Sequence, residues 1–95
     1  MEVNISDIVI STAGRDQGKP FYVIGTEGEY VLIADGKERK LEHPKRKKLK
    51  HVRLVTRFES RIAEKLKNGE KVLNSELRRD LAAYRQLLQS QNQGG

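Results

Sequence analysis

The sequence contains no cysteine and no tryptophan, and only two of its 95 residues are proline. Without cysteine, neither a disulfide framework nor a thiolate metal site can form, which fits a reducing compartment. No apolar run approaches the length needed to span a bilayer, and the first eleven residues, MEVNISDIVIS, have neither a basic leader nor an apolar core segment. We therefore expect no signal peptide, no membrane span and a cytoplasmic location.

Groups suited to catalysis or metal binding are also scarce. His43 and His51 are the only histidines, both lie in a positively charged segment, and neither has a convincing serine or carboxylate partner for catalysis. The scattered residues Asp7, Asp16 and Asp35 are more typical of turns than of a catalytic acid pair. At 36% hydrophobic residues the core is thin, which leaves little room for a deep cleft. The sequence predicts no enzyme, no metal site and no cofactor.

The positive charge is concentrated in one part of the chain. Residues Lys37–Arg61 contain eleven Lys or Arg and three Asp or Glu, a net charge of +8, whereas the residues before them carry −4 and those after them +2. The densest part is HPKRKKLKH, residues His43–His51, which we predict to be a loop because Pro44 disfavours strand and helix there. The nearby acids Glu38 and Glu42 are too few to neutralise it. Such a cluster is typical of a surface that binds a polyanion, although a solvated charge run that aids solubility has the same composition.

The first part of the chain has the pattern of a small β domain. Short runs rich in Val, Ile and Tyr alternate with turn residues, Glu27-Gly28 predicts a tight hairpin, and Asp35-Gly36 predicts a second turn. No helical interval separates the strands, so we expect a small, bent antiparallel barrel over residues 1–56. The predicted strands are Asp7–Ser11, Phe21–Thr26, Glu29–Ala34, a polar edge strand at Lys37–Glu42, and Val52–Val55.

A first helix is predicted after the barrel. Thr56 and Glu59 have the spacing of a capping box. Asn68-Gly69 predicts the end of this helix. Its apolar stripe would consist of Phe58, Ile62 and Leu66.

A second helix completes a hairpin over residues 57–90, and residues 91–95 form a polar tail. Either Asn74 or Ser75 can cap this helix, whose apolar stripe would consist of Leu77, Leu81, Tyr84 and Leu88. The stripes could pack on the barrel or on a second copy of the chain. Alternatively, a helix over Asn74–Gln89 could enter a nucleic-acid groove with Arg78, Arg79 and Arg85.

The segment AGRDQGK, residues Ala13–Lys19, places two glycines in a short loop between the first two strands. Gly14 and Gly18 allow backbone conformations that other residues resist, and they let another backbone approach closely. Arg15 and Lys19 stand beside them as groups that can bind phosphate. The spacing is not that of a P-loop, and a flexible hairpin loop without a ligand explains the same residues.

Together these features resemble the KOW-domain RNA-binding proteins of bacteria and the KOW-bearing large-subunit ribosomal proteins of archaea and eukaryotes. The likeness covers residues 4–56. It rests on the strand–loop–strand arrangement in which Gly18 matches the fixed glycine of the motif, on the turn Ala34–Gly36, and on the basic segment that follows. The resemblance implies an SH3-like β-barrel that binds RNA, often ribosomal RNA. It implies nothing about the helical hairpin.

The predicted contacts to RNA are mainly electrostatic, because lysine-rich clusters favour phosphates over base edges. The aromatic residues suit core positions, although Tyr22 or Tyr30 on the outer face of a strand could stack a base. The candidate RNA-binding residues are Arg15, Lys19, Lys37, Arg39, Lys40, Lys45, Arg46, Lys47, Lys48, Lys50 and Arg53, with Gly14 and Gly18 as the loop glycines.

The sequence therefore predicts a mostly β, SH3-like domain with a helical appendage that binds RNA and is associated with ribosomal RNA or the ribosome. Two alternatives stay open. The barrel and the hairpin could form a protein-interaction module that binds a partner or self-associates, or the second helix could act in a DNA-binding regulator.

Overall fold

The computed structural model describes residues 2–56 and 60–93, which form one antiparallel sheet of five strands followed by two helices. A single 3-10 turn, Leu49–His51, joins the last two strands. The expectation of a β-rich domain with a helical appendage is confirmed. The elements are β1 (Ile8–Ser11), β2 (Pro20–Glu27), β3 (Tyr30–Ala34), β4 (Lys45–Lys48), β5 (Val52–Thr56), α1 (Arg61–Lys67) and α2 (Asn74–Gln93).

The strands lie in the order β4-β3-β2-β1-β5, and each neighbouring pair is antiparallel. Four of the five predicted strands are confirmed to within one residue at either end. The turn between β2 and β3 is Gly28-Glu29, one residue later than predicted, and Gly28 adopts a φ of 60°. Hairpins of this kind need a positive φ, so glycine at this position fixes the register of β2 against β3.

The fifth strand, β4, lies within the basic run that the sequence predicted to be a loop. The prediction of a strand over Lys37–Glu42 and a loop over His43–His51 is wrong, because the structure has turns in the first range and β4, Lys45–Lys48, in the second. Pro44 directly precedes the strand, where its missing N–H removes no hydrogen bond of the ladder. An edge strand also tolerates a run of lysines that a central strand could not accommodate.

A turn closed by Asp35 occupies the place of the predicted fourth strand. One oxygen of the Asp35 carboxylate accepts hydrogen bonds from the backbone N–H groups of Lys37 and Arg39, both at 2.9 Å. The Arg39 carbonyl in turn accepts from the N–H of Gly36 at 3.1 Å, and Gly36 has a φ of 78°. The backbone groups that a strand would offer to a neighbour are thus used within the turn.

Both faces of the sheet are buried along its central strands. Successive residues of a strand point to opposite faces, so the apolar runs of β1, β2 and β3 supply two cores. Burying one large side chain of this kind contributes roughly 1.5–3 kcal/mol relative to leaving it exposed. One core contains Val3, Val9, Phe21, Val23, Val31, Ile33 and Val52. The other contains Ile8, Tyr22 and Ala34 from the sheet, together with Ile62, Ala63, Leu77, Leu81 and Tyr84 from the helices.

The first helix is capped by a residue that the sequence interpretation passed over. The hydroxyl of Ser60 accepts a hydrogen bond from the N–H of Ala63 at 3.1 Å, and α1 begins directly after it. Thr56, the cap predicted from the sequence, is the last residue of β5, so that prediction is wrong. Phe58 and Glu59 lie outside the described residues. The predicted end of the helix is confirmed, since α1 ends at Lys67 and Gly69 adopts a φ of 71°.

The second helix begins at Asn74 and uses its apolar stripe to cover the sheet. Leu77, Leu81 and Tyr84 are buried there, which is the first of the arrangements considered for the hairpin. The side chain of Leu88 lies outside the described residues. The helix runs to Gln93, into the stretch expected to be a polar tail. Among the described residues no helix is long and apolar enough to cross a membrane.

The start of α2 is tied to the turns that follow β3. The N–H of Leu41 donates to Asn74 Oδ1 at 2.8 Å, and Asn74 Nδ2 donates to the Glu42 carboxylate at 2.9 Å. Arg78 Nη1 donates to the carbonyl of Gly36, also at 2.8 Å. These bonds satisfy polar groups at the helix terminus and hold the whole segment between β3 and β4 against the helix.

A second polar contact joins the sheet to both helices. The Tyr22 hydroxyl donates to the Asp80 carboxylate, and the Ser60 hydroxyl donates to the same oxygen at 2.8 Å. Burial and the hydrogen bond to Asp80 raise the pKa of Tyr22 above its ordinary value. Because its ring is fully buried in this core, Tyr22 is not the base-stacking residue that the sequence left possible.

Candidate functional site

The loop between β1 and β2 is a compact turn with a defined backbone. The N–H of Gly18 donates to the carbonyl of Ser11 at 2.8 Å, and the N–H of Gln17 donates to the carbonyl of Gly14 at 3.2 Å. Gly14 and Gly18 have φ values of 86° and 87°, which side chains rarely tolerate. The predicted need for glycine at both positions is confirmed. Space is available beside Gly18, because nothing lies within 4 Å of a Cβ atom built there.

Lys47 anchors this glycine loop, residues 12–19, to the edge strand β4. Its ammonium group is buried and donates to Ser11 Oγ at 2.6 Å, to the Ala13 carbonyl at 2.6 Å and to Asp16 Oδ1 at 2.7 Å. An ammonium group has three N–H donors, and three acceptors surround this one. The three donors are thus already used within the protein, and a phosphate could contact Lys47 only by displacing one of these bonds, so Lys47 is left out of the RNA-binding surface proposed below.

Asp16 is the counter-charge of Lys47. Burial alone would raise the pKa of its carboxyl group, but hydrogen bonds from Lys47 and Ser11 and the adjacent positive charge hold that pKa below its ordinary value. The carboxylate therefore stays ionised at neutral pH. The interpretation of Asp16 as a simple turn former is too weak, since it forms a buried ion pair across the sheet.

Two further cations of the predicted set also have acidic partners. Lys19 Nζ lies 3.2 Å from the Glu38 carboxylate, and Arg46 Nε lies 3.1 Å from that of Glu27. Both pairs are largely exposed, where an ion pair is worth at most about 1 kcal/mol. Within the basic segment, Arg46 and Lys47 thus take their partners from other parts of the chain, Glu27 from β2 and Asp16 from the glycine loop, whereas the local acid Glu38 pairs with Lys19.

Eight of the eleven predicted cations have no hydrogen bond or ion pair to their side chains among the described residues. Most of them are exposed, whereas Arg39 and Lys45 are half-buried. Cations without partners repel one another, and a bound polyanion relieves that repulsion. The eight are Arg15, Lys37, Arg39, Lys40, Lys45, Lys48, Lys50 and Arg53.

The structure brings three of these cations to one cleft beside the glycine loop. Arg15, Arg39 and Lys45 line this cleft, which has a volume of about 290 Å³. They arrive from three separate parts of the chain: the glycine loop, the turn closed by Asp35, and β4. The cleft also contains Asp16 and Glu38, which Lys47 and Lys19 neutralise.

A second cleft lies along the edge of β4 and adjoins the first through Gly14 and Lys45. Its lining includes Lys48, His51 and Tyr30, and its volume is about 390 Å³. A third, lined by Lys48 and Lys50, continues from it. The remaining unpaired cations of the set, Lys37, Lys40 and Arg53, line none of these three clefts.

Sequence reasoning missed Ser11, Asp16 and Glu27 as parts of this region. The run Lys45–Lys48 is basic at every position, so no alternation in the sequence marked the buried pair. Only the strand itself shows it, because every second residue of a strand faces the same side. Lys47 pairs with the buried residue Val31 across the β3–β4 ladder, so its side chain points toward the core. Treating the run as a loop concealed that register.

Comparisons of the chain with protein-family models and with curated proteins returned no match. Within residues 2–56 and 60–93, no group of three or more His, Cys, Asp or Glu side chains is arranged to hold a metal ion. Among the described residues, the three clefts present positive charge, the hydrogen-bonded glycine loop and the half-buried side chain of Tyr30.

Proposed function

We propose that this protein binds structured RNA in the cytoplasm, as a ribosome- or ribosomal-RNA-associated protein of the KOW type. The observation that supports this most is the row of unpaired cations along the glycine loop and β4. Arg15, Arg39, Lys45, Lys48 and Lys50 line adjoining clefts and have no acidic partners among the described residues. The resemblance to KOW proteins points to the same two segments.

The proposed mechanism is electrostatic docking onto a surface that is already ordered. Phosphate groups would replace the counterions of the unpaired cations, and the release of those counterions would supply most of the affinity. The glycine loop would let an RNA backbone approach closely. Because Lys47 holds that loop against β4, little conformational entropy is lost on binding.

We propose further that the sheet closes as a small SH3-like barrel. Lys47 on β4 bonds to Ser11 at the end of β1, although two strands lie between β4 and β1 in the sheet. The N–H of Thr12 donates to the carbonyl of His51 at 2.9 Å, which joins the glycine loop to the turn before β5. The first contact requires a strongly curved sheet, whereas the second continues the ladder between β1 and β5.

A protein-interaction module and a DNA-binding regulator are the alternatives. The apolar stripe of α2 is already used against the sheet, and Arg78 is bonded to the Gly36 carbonyl, so a groove-binding role gains no support from that helix. The DNA-binding alternative is tested by repeating the assays below with a DNA duplex of the same sequence. Tighter binding to the DNA than to the RNA would favour that alternative.

We expect the affinity for a structured RNA to fall steeply with salt. If about four to six phosphates are contacted, the slope of log K against log salt concentration should be roughly −3 to −5. Fluorescence anisotropy with a labelled hairpin RNA over a range of KCl concentrations measures this slope. A slope near zero would remove the electrostatic mechanism.

A second prediction concerns where the charge lies. Replacing Arg39, Lys45, Lys48 and Lys50 with Gln should weaken RNA binding at least about tenfold, or 1.4 kcal/mol, and leave the thermal midpoint unchanged or slightly higher. Lys47 is kept, because its role is structural. The matched control removes four exposed charges from α1, α2 and the segment between them: Lys67, Lys71, Arg79 and Arg85 to Gln. Equal losses in both variants would show that only net charge matters and that the clefts are not the site.

A further inference from the structure

The outer side of β4 carries an arrangement that phosphate binding does not use. The guanidinium group of Arg46 lies over the ring of Tyr30, with its Cζ atom 3.7 Å from the ring centre. The same group is held at its edge by Glu27, through the hydrogen bond from Nε. A flexible side chain is thus fixed from two directions, which reduces the entropy that a ligand would otherwise have to remove.

The register of three strands places these groups together. Glu27 pairs with Tyr30 across β2 and β3, and Tyr30 pairs with Lys48 across β3 and β4. Arg46, two residues before Lys48, is the diagonal neighbour of Tyr30 on the same face, a position from which long side chains reach an aromatic ring. Further along β3 the helices pack on this face at Ala34, whereas among the described residues no buried helix side chain belongs to a cluster with Tyr30.

Arg46 presents a flat, open surface at this end. Its side chain is 57% exposed, so one side of the guanidinium plane rests on Tyr30 and the other is open to solvent. It is the only arginine between residues 45 and 50. Arginine differs from lysine in that its planar group stacks on rings as well as carrying charge.

A role as one more phosphate contact fits this geometry poorly. The Glu27 carboxylate already lies 3.1 Å from Arg46 Nε, and a phosphate would compete with it and be repelled by it. A nucleobase that stacks on the open side of the guanidinium group leaves the Glu27 contact in place. Cations that could bind the adjoining phosphates, Lys45 and Lys48, line the same cleft.

We propose that Arg46 and Tyr30 form a stacking platform for one unpaired nucleotide, whose phosphates bind Lys45 and Lys48. This rests on the proposed RNA-binding function and narrows it to loops, bulges or single strands. Bases in a duplex are stacked on one another and cannot offer a face to a side chain, whereas unpaired bases can. Stacking tolerates any base, so the platform would recognise the unpaired state more than a sequence.

The test compares Arg46→Lys with the parent protein on two RNAs. We expect binding to a single-stranded oligouridylate of about twelve nucleotides to weaken about five- to tenfold, as for the loss of one stacked base. Binding to a blunt RNA duplex of the same length should change less than about twofold, because the charge is kept. Arg61→Lys, at an exposed residue of α1 that lines none of the three clefts, is the matched control and should alter neither affinity.

Tyr30→Leu provides a second variant that keeps apolar packing and removes the ring. This variant should show the same selective loss of affinity for the single strand. A 2-aminopurine in the oligonucleotide should be quenched when it binds the parent protein, and this quenching should be absent with both variants. If either substitution weakens binding to the single strand and to the duplex by the same factor, the stacking platform is overturned. The same holds if either substitution leaves both affinities unchanged. In both cases RNA binding itself stands. If the parent protein binds neither RNA in a salt-dependent way, the proposed function fails as well.

Discussion

Lys47→Met should unfold at a much lower denaturant concentration than the parent protein, with a loss of about 3–5 kcal/mol in the free energy of unfolding. The substitution keeps the length of the side chain but leaves Asp16 as a buried charge without its counter-charge. It also removes the donor to Ser11 Oγ and one of the two donors to the Ala13 carbonyl, the other being the Ser11 hydroxyl. Domains are stable by only about 5–15 kcal/mol, so this one substitution removes a large part of the total.

The control is Lys48→Met, one residue further along the same strand. Lys48 is exposed and has no ion pair among the described residues, so its replacement should change the free energy of unfolding by less than about 0.5 kcal/mol. Combining Lys47→Met with Asp16→Leu removes both charges and should recover most of the loss. Equal stability of the two single variants would contradict the structural role of Lys47.

Acid unfolding tests the same ion pair independently. Folding lowers the pKa of Asp16, so the group binds a proton more readily in the unfolded chain. Its contribution to stability is therefore complete above its unfolded pKa of about 3.9 and is lost as the pH falls through the lower, folded pKa. The stability advantage of the parent over Lys47→Met should shrink below about pH 4.

Gly36→Ala should also destabilise the protein strongly, by about 2–5 kcal/mol. A positive φ costs a side-chain-bearing residue about 1–2 kcal/mol, and forced overlap in a packed site adds about 1–3 kcal/mol. At Gly36, with its φ of 78°, a Cβ atom would overlap the carbonyl oxygen of Asn74, which is backbone and cannot turn aside. Denaturant unfolding followed by circular dichroism measures the change.

Gly28→Ala separates the two causes. Gly28 also has a positive φ, of 60°, but nothing lies within 4 Å of a Cβ built there. We expect a loss of about 1–2 kcal/mol, from the backbone conformation alone. If Gly36→Ala costs no more than this, the close approach between the turn and α2 contributes nothing to stability.

Four strands and the end of α1 could be predicted because their signals are local. Runs of β-branched and aromatic residues define β1, β2, β3 and β5, and Asn68-Gly69 ends the helix through the backbone freedom of one glycine. The same apolar runs also indicate burial on two sides, since neighbours such as Phe21 and Tyr22 are both apolar but face opposite cores.

β4 could not be predicted by the same rules. A strand is recognised by its apolar face, and Lys45–Lys48 has none, because its inward position is filled by an ammonium group with three hydrogen-bond acceptors. The partners of the basic segment were equally hidden. Asp16 lies 31 residues before Lys47, and only the pairing of β4 with β3 and the curvature of the sheet bring them together.

The two covered faces of the sheet also set a limit on how this protein can hold a long partner. With helices packed on one face and the second core on the other, the surface that we propose for RNA is a rim formed by β4 and the loops beside it. A rim touches a few nucleotides at a time. Tight attachment to a large RNA would then depend on a second point of contact. Once that contact is made, the rim and its RNA site are held close together, so the effective concentration for binding at the rim is high.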